Sequence, residues 1–173
     1  MIHFCAICRV NERKLLVNYR VTETEMSAFG QTLASACQCG SIIYLDGTLG
    51  MGKTALSRAL IEGLGWRGRV KSPTYTLLEH YDTVTCVVFH FDLYRLSDPE
   101  ELEFIGVRDL DAKSAIWLIE WPENGVGLLP MADLIVHFDE ADAGMARDIC
   151  LQAMTDKGIV QAEHVQQEWE ANE

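Results

Sequence analysis

The sequence predicts an α/β protein of three layers, in which helices cover both faces of a mainly parallel sheet. Short apolar segments typical of buried strands alternate along the chain with segments of helical periodicity. The 173 residues are 49% apolar and 23% charged, which is ordinary for one globular domain with a sizeable core. We expect that domain at residues 15–160, with a loose extension at 1–14 and a polar tail at 161–173.

Local signals define the first strand and the first helix. The composition of residues 15–21 predicts a strand. Thr22 and Glu25 have the spacing of a capping box, which marks the start of a helix. Apolar residues then recur at intervals of three to four, as in an amphipathic helix, at Met26, Phe29, Leu33 and Ala36. We expect this helix to end near Cys39 and Gly40.

Apolar runs further along the chain predict the remaining strands. They lie at residues 42–45, 87–91, 116–119, 134–138 and 149–151. The helix-forming residues 55–61 follow the first of these runs and stop at Gly63. Strands interleaved with helices favour parallel pairing, because a parallel connection has to cross back over the sheet.

The most informative motif joins the strand at 42–45 to the helix that follows it. Residues 47–54 read Gly-Thr-Leu-Gly-Met-Gly-Lys-Thr, which matches the phosphate-binding pattern G-x-x-x-x-G-K-T. The glycines let backbone N–H groups face a polyphosphate, Lys53 adds a positive charge, and Thr54 offers a hydroxyl to Mg²⁺. A helix beginning at Gly52 or Lys53 also directs its positive end at the phosphates. The motif therefore predicts a P-loop NTPase fold that binds a nucleoside triphosphate.

A P-loop enzyme also needs an acidic residue that completes the Mg²⁺ site or orients water. Asp92 directly follows the predicted strand at 87–91, and Glu120 follows the strand at 116–119. Both are candidates, because the carboxyl ends of parallel strands open onto the ligand crevice. Spacing does not assign either one to the metal or to water. A solvent-facing acid at a strand end is the alternative for each.

A hydroxyl-rich loop follows the P-loop helix at residues 72–76, Ser-Pro-Thr-Tyr-Thr. Pro73 favours an extended conformation at Ser72 and excludes a continuing helix. Thr74 is therefore a candidate for a switch-like hydroxyl that senses a γ-phosphate. A Ser/Thr turn at the start of a strand accounts for the same residues.

The cysteines do not indicate a metal or redox centre. They are Cys5, Cys8, Cys37, Cys39, Cys86 and Cys150. Cys5 and Cys8 have C-x-x-C spacing, but a structural zinc site needs a second pair, and Cys37-x-Cys39 has the wrong spacing. We expect ordinary thiols, as in a reducing cytosol.

The net charge of −12 is unevenly distributed along the chain. Residues 1–97 carry 10 basic and 8 acidic side chains, whereas residues 98–173 carry 4 and 18. Nucleic-acid surfaces need basic residues that displace counterions, so we expect no tight direct nucleic-acid binding. The acidic half suits a solvated surface or a basic protein partner. Every apolar run in the sequence is shorter than a membrane span of about 18 residues, and the N-terminus has no signal-peptide pattern. We therefore expect a cytoplasmic protein without membrane contact.

Taken in order, these motifs resemble the TsaE family, also known as YjeE. Its members are the small P-loop ATPases of bacterial threonylcarbamoyladenosine synthesis on tRNA. The resemblance covers roughly residues 20–150, and its matching segments are 46–54, 70–76, 90–96, 98–102 and 119–122. Five motifs in one order are far more specific than a P-loop alone.

The resemblance implies an accessory subunit that binds ATP with Mg²⁺ and hydrolyses it slowly. In that family a partner complex, the TsaB–TsaD pair, carries out the transferase chemistry on the adenosine beside the anticodon, and ATP hydrolysis supports repeated turnover. After residue 97 the only arginines are Arg108 and Arg147, so no internal arginine finger is obvious. We expect weak intrinsic hydrolysis that partner docking raises.

The resemblance also implies roles for single residues. The implied catalytic residues are Lys53, Thr74, Asp92 and Glu120, with Thr54 and Glu120 holding Mg²⁺ and Asp92 near the γ-phosphate or its water. The implied nucleotide-binding residues are Thr24, Gly47, Gly50, Met51, Gly52, Lys53, Thr54, Ala55, Trp121 and Arg147. Met51 and Ala55 depart from the family's usual Ala and Thr. Because a P-loop binds through backbone N–H groups, we expect Met51 to be tolerated and Ala55 to weaken binding modestly.

Two other classes of function also use a P-loop on a chain of this size. A small-molecule or nucleotide kinase needs basic residues that clamp its acceptor, and the chain after residue 97 is poor in them. A non-catalytic nucleotide-gated adaptor uses ATP only to set the shape of a docking surface. Phosphate transfer to an acceptor would identify the first, and modification without hydrolysis would identify the second.

Overall fold

The computed structural model describes residues 15–172. Its strands are β1 (Leu16–Thr22), β2 (Ile42–Gly47), β3 (Leu78–Asp82), β4 (Val87–Asp92), β5 (Ala115–Glu120), β6 (Leu134–Ala141) and β7 (Ala146–Ala153). Its α-helices are α1 (Met26–Ala36), α2 (Lys53–Gly63), α3 (Glu101–Phe104) and α4 (Asp156–Glu170). Turns of 3₁₀-helix lie at Val107–Asp109, Pro122–Gly125 and Asp142–Gly144.

The strands form one seven-stranded sheet in the order β1-β7-β6-β2-β5-β4-β3. The four central strands β6, β2, β5 and β4 pair in parallel. Antiparallel pairings add β7 and β1 at one edge and β3 at the other. Every residue of β5 is buried, as expected for a central parallel strand covered on both faces. The predicted three-layer α/β fold is confirmed, with its parallel strands at the centre of the sheet.

Side chains of the central strands alternate between two apolar cores. On one face, Ile43, Leu45 and Leu118 pack with residues of α1, α2 and α4. On the other face, Ile42 and Trp117 pack with residues of α3, a 3₁₀ turn and the loops around them. Helical structure therefore covers both faces, although the second layer is short.

The parallel centre brings three strand ends to one edge of the sheet. β2 ends at Gly47, where the P-loop begins, and β5 lies between β2 and β4. In the register of these strands Glu120 lies opposite Leu45 on one side and opposite Asp92 on the other. Both predicted acids therefore face the region of the P-loop.

The start of α1 preserves part of the predicted capping box. The Glu25 carboxylate accepts a hydrogen bond from the Thr22 N–H at 2.9 Å and from the Thr22 hydroxyl at 2.7 Å. The Thr22 hydroxyl therefore donates to Glu25 instead of accepting from the helix backbone. The helix ends at Ala36, earlier than predicted, because Cys37 is extended with ψ of 144°.

The sequence analysis did not predict the edge strand β3. Its residues alternate without a clear apolar face, and only Tyr81 among them is buried. A strand whose faces are only partly covered has a weak hydrophobic pattern. Backbone pairing with β4, together with the packing of Tyr81, holds β3 in the sheet.

The predicted domain boundary at residue 160 falls inside α4. Ala162 and Val165 on this helix are fully buried, and the Trp169 ring packs edge-on against Tyr19 and Phe29. Residues 161–170 are thus part of the packed domain, because a narrow apolar stripe is enough to dock an otherwise polar helix.

No helix in the described range is long and apolar enough to cross a membrane. The extension predicted at 1–14 lies outside the described residues.

Two cysteines differ from the expectation of free thiols. Cys39, between α1 and β2, forms a disulfide with Cys86, which immediately precedes β4. The two cysteines are 47 residues apart in sequence and become neighbours only in the folded chain. Their spacing along the chain therefore does not reveal the disulfide. Cys37 is a free thiol, and burial raises its pKa to about 12. Between residues 15 and 172 no group of three or more His, Cys, Asp and Glu side chains is arranged to hold a metal ion, and Cys5 and Cys8, which were expected to be ordinary thiols, lie outside that range.

Replacing Trp169 with Ala is expected to lower the free energy of unfolding by about 2–3 kcal/mol, because its ring packs on the core through two aromatic contacts. The matched control Val160→Ala changes an exposed position of the same helix and should cost less than about 0.5 kcal/mol. Urea unfolding followed by circular dichroism measures both. Equal losses in the two variants would contradict the docking of α4.

Candidate functional site

The P-loop connects β2 to the N-terminus of α2. Gly50 and Gly52 have φ angles of +82° and +99°, in the left-handed region that glycine enters without steric cost. Gly52 is the capping residue, so α2 begins at Lys53, as predicted. The first N–H groups of a helix have no partners within the helix. This turn therefore offers unpaired donors and the positive end of a helix to an anion.

Lys53 is almost fully buried beside this loop. Its ammonium group donates to the carbonyl oxygens of Gly47 and Thr48, with a distance of 2.9 Å to Thr48. It also lies 3.9 Å from the centre of the Trp121 ring. Burial lowers the pKa of Lys53, and the carboxylate of Glu120 is the strongest opposing influence. The ammonium charge is thus desolvated and held by neutral carbonyl oxygens. Phosphate oxygens could take the place of these carbonyl oxygens, because their hydrogen bonds to an ammonium group are stronger.

Glu120 ends β5 and connects α2 to the sheet. Only 2% of its surface is exposed. Its Oε2 accepts a hydrogen bond from the Thr54 hydroxyl at 3.0 Å, and its Oε1 lies 2.8 Å from His90 Nε2. The Ser57 hydroxyl lies 3.3 Å from Oε1 but 3.0 Å from the Lys53 carbonyl oxygen. Hydrogen bonds to its charged form are what allow a carboxylate to stay buried here.

Asp92 ends β4 directly beside Glu120. Its Oδ2 accepts a hydrogen bond from the Thr74 hydroxyl at 2.5 Å, and its Oδ1 accepts one from the Tyr94 N–H at 3.1 Å. Its exposed fraction is 4%. The loop that carries Thr74 is therefore tied to the strand end, and the direction of the Asp92 carboxylate is defined by two donors.

These groups line one cleft of about 280 Å³, which is at the small end of ligand sites. Its lining residues are Leu49, Gly50, Met51, Gly52, Lys53, Thr54, Ala55, Thr74, Asp92, Tyr94, Glu120 and Trp121. The structure thus brings together nearly all of the site residues predicted from the sequence. Gly47 lies just behind the cleft, where its carbonyl oxygen holds Lys53.

Trp121 adopts an uncommon backbone conformation immediately after β5. Its φ and ψ are 59° and 50°, in the left-handed region that residues with side chains seldom enter. This conformation places the indole under the Lys53 ammonium and 5.0 Å from the Tyr94 ring. Strained backbone of this kind is concentrated at functional sites, and here it supplies one wall of the cleft.

Arg147 and Thr24, like Gly47, do not line the cleft, and they differ in their relation to it. Arg147 on β7 donates from Nε to the Met51 carbonyl oxygen at 3.2 Å, so it contacts the P-loop directly. Thr24 lies in the turn between β1 and α1, where its hydroxyl is 3.1 Å from that of Thr22. Among the described residues, no hydrogen bond joins Thr24 to the P-loop.

The oxygen donors at the cleft fit Mg²⁺ that arrives with a phosphate. The donors are the Thr54 hydroxyl and the carboxylates of Asp92 and Glu120, which are hard ligands of the type Mg²⁺ prefers. Two carboxylates and one hydroxyl do not form a complete cage. Mg²⁺ sites for nucleotides are completed by phosphate oxygens and water, so an incomplete set suits this ion.

Sequence reasoning did not single out His90 or Ser57 as site residues. Both are fully buried, and both lie within hydrogen-bonding range of Glu120. A signal was present for His90, because residues two apart on a strand share a face and His90 precedes Asp92 by two. Ser57 follows Lys53 by one helical turn, so it lies on the same face of α2.

Comparison with known proteins gives one consistent family. Residues 21–149 match the family model of the threonylcarbamoyl adenosine biosynthesis protein TsaE. The chain is 43% identical over 152 residues to the tRNA threonylcarbamoyladenosine biosynthesis protein TsaE of Haemophilus influenzae, covering 85% of this chain and 96% of the relative. It is 34% identical to the Streptomyces coelicolor protein of the same name, covering 72% of this chain and 85% of the relative.

The fold also matches a solved structure. The crystal structure of Bacillus subtilis YdiB superposes with a TM-score of 0.76, covering 91% of this chain and 99% of that one. The two sequences are 23% identical, so this likeness is evidence for the fold.

Gly50→Ala is expected to lower the free energy of unfolding by about 1–2 kcal/mol, because its φ of +82° is unfavourable for alanine. A Cβ at Gly50 has no atom within 4 Å, so the cost is conformational alone. Gly127→Ala is a matched control with φ of +93° and equally open space, but it lies outside the P-loop. Both should lose similar stability in urea unfolding, and only Gly50→Ala should weaken nucleoside triphosphate binding. Equal binding by both would contradict the assigned site.

Proposed function

The chain belongs to the TsaE family of threonylcarbamoyl adenosine biosynthesis proteins, and we propose that it is the ATP-binding, slowly hydrolysing accessory subunit of that tRNA modification. The observation that supports this best is the convergence of Lys53, Thr54, Asp92 and Glu120 on one cleft beside the P-loop. We further propose that it acts in the cytoplasm with a TsaB–TsaD-like pair, which transfers the threonylcarbamoyl group to the adenosine beside the anticodon.

The triphosphate is proposed to bind along the P-loop, with the backbone N–H groups of residues 50–55 facing its oxygens. Lys53 exchanges the carbonyl oxygens that it now binds for β- and γ-phosphate oxygens, since charge-assisted bonds are stronger. Arg147 beside Met51 and Thr24 in the neighbouring turn are assigned to the nucleoside end of the ligand. Trp121 contributes to the cleft wall beside Lys53.

Thr54 and Glu120 are the residues that would hold Mg²⁺, which when bound neutralises charge on the phosphate oxygens. Their hydrogen bond of 3.0 Å keeps a hydroxyl oxygen and a carboxylate oxygen side by side before any ligand binds. Such preorganisation lowers the cost of assembling the site when nucleotide arrives.

Asp92 is proposed to orient the attacking water. Its carboxylate direction is set by Thr74 and the Tyr94 N–H, and a fixed carboxylate can accept a hydrogen bond from water. A γ-phosphate oxygen would compete with Asp92 for the hydroxyl hydrogen of Thr74. The loop carrying Thr74 would thereby sense whether the terminal phosphate is present.

Slow hydrolysis follows from how few cations the cleft has. Lys53 is the one basic side chain lining it in the described part of the chain. Arg147 directs its guanidinium at three backbone carbonyl oxygens, and Arg108 is paired with Glu103. Charge that develops in the transition state therefore has little stabilisation until a partner adds to it. The same scarcity disfavours a kinase, which needs cations for its acceptor.

Lys53→Ala is expected to weaken MgATP binding at least about 100-fold, equivalent to about 2.7 kcal/mol, because the cleft loses the cationic side chain that faces the phosphates. The exposed Lys113→Ala is the matched control and should bind like the wild type. Isothermal titration calorimetry measures both. Retention of tight binding by Lys53→Ala would overturn the site assignment.

Asp92→Asn is expected to keep ATP binding within about threefold but to abolish hydrolysis, since an amide orients water less well than a carboxylate. In cells where it replaces the wild-type chain, we expect loss of threonylcarbamoyladenosine from tRNA, read by nucleoside mass spectrometry. The exposed Asp109→Asn is the control. Modification that continues without hydrolysis would favour a nucleotide-gated adaptor instead.

Co-purification with the TsaB–TsaD pair, with and without ATP, tests the proposed partner.

A further inference from the structure

His90 is a polar residue in the buried interior of the sheet. It lies on β4 between Val88, which is fully buried, and Asp92 on the same face, and its own exposure is 0%. Burying an imidazole that could be solvated is unfavourable unless a hydrogen bond compensates. An imidazole at this position therefore needs a specific contact.

One contact is present, and it leads to the candidate metal ligand. His90 Nε2 lies 2.8 Å from Glu120 Oε1, whereas Nδ1 has no hydrogen-bonding partner within the described chain. A carboxylate oxygen only accepts, so Nε2 carries the hydrogen in this bond. With hydrogen on Nε2 alone, Nδ1 is a buried acceptor that has no donor among the described residues, so Glu120 is the one hydrogen-bonding partner of this ring there.

The two oxygens of Glu120 have different partners as a result. Oε1 is bound by His90, while Oε2 faces the Thr54 hydroxyl at 3.0 Å. Ser57 also approaches Oε1, but its hydroxyl is nearer to the Lys53 carbonyl oxygen. His90 is therefore the firmer anchor of Oε1, and a hydrogen bond at one oxygen restricts rotation of the carboxylate about its terminal bond.

We propose that His90 is a positioning residue that holds Glu120 Oε1 so that Oε2 stays beside Thr54, ready to bind the divalent cation of the MgATP complex. The proposal rests on the function proposed above, because it assigns Glu120 to that cation. Outer partners that orient metal ligands contribute about 10- to 100-fold to metal affinity. His90 touches no reacting atom and acts only through Glu120.

The test compares His90→Phe, which keeps a ring but loses the donor, with His90→Gln, whose amide N–H can replace Nε2. Mn²⁺ serves as the probe, and electron paramagnetic resonance measures its affinity for the ATP-loaded protein. We expect His90→Phe to bind Mn²⁺ about 10- to 100-fold more weakly and His90→Gln to recover most of the loss. His80→Phe, an exposed histidine on the adjacent strand, is the control and should match the wild type.

A second measurement separates positioning from a merely structural role. ATP binding in excess EDTA is expected to be the same in His90→Phe and the wild type, because metal-free ATP would be held by backbone N–H groups and Lys53, and His90 is hydrogen-bonded to neither. Wild-type Mn²⁺ affinity in His90→Phe would overturn the proposal. So would failure of His90→Gln to recover affinity, or an equal loss of metal-free ATP binding.

The tautomer of His90 can be read in the wild-type protein, which keeps the proposal testable if His90→Phe does not fold. Nitrogen-15 NMR of labelled histidine is expected to find hydrogen on Nε2 and none on Nδ1. Hydrogen on Nδ1 alone would overturn the proposal, since Nε2 could then donate nothing to Glu120. A wild-type protein that binds no ATP at all would instead overturn the function proposed above.

Discussion

The arrangement of the site depends on the hydrogen bonds that converge on the buried carboxylate of Glu120. Thr54 on α2 and His90 on β4 both bind it, so one side chain of β5 connects the P-loop helix with two strands. A buried charge is tolerated only when its hydrogen bonds are made, and this requirement determines the spacing of the three elements. The positions of Lys53 and Asp92 follow, because they lie on the same helix and on the neighbouring strand.

The site holds more negative than positive charge in the absence of ligand. Asp92 and Glu120 lie side by side with Lys53 as the cation of the cleft, and burial already lowers the pKa of that lysine. Hydrogen bonds from neighbouring hydroxyl groups compensate in part. A bound cation and a triphosphate would meet groups that are already oriented, at the expense of stability in the free protein. This scarcity of cations agrees with the proposal that turnover needs a partner.

The parts of the fold that local sequence could predict are those governed by local rules. The glycine spacing predicts the P-loop, because its glycines meet a conformational demand, and strand ends that open onto the ligand crevice predict the acids at positions 92 and 120. The strand β3 and the docking of α4 were not found, since an edge strand and a helix with a narrow apolar stripe leave weak signals. The pairing of Cys39 with Cys86 depends on distance in space alone.

The sequence by itself determined that a P-loop joins a strand to a helix, that Lys53 and Thr54 belong to it, and that the chain resembles one family. Tertiary structure alone decided that β5 lies between β2 and β4, so that Asp92 and Glu120 become neighbours. It also decided that His90 binds Glu120 and that Thr74 binds Asp92. The physical reason is that strand order and register are non-local, because they arise from packing between segments far apart in the chain.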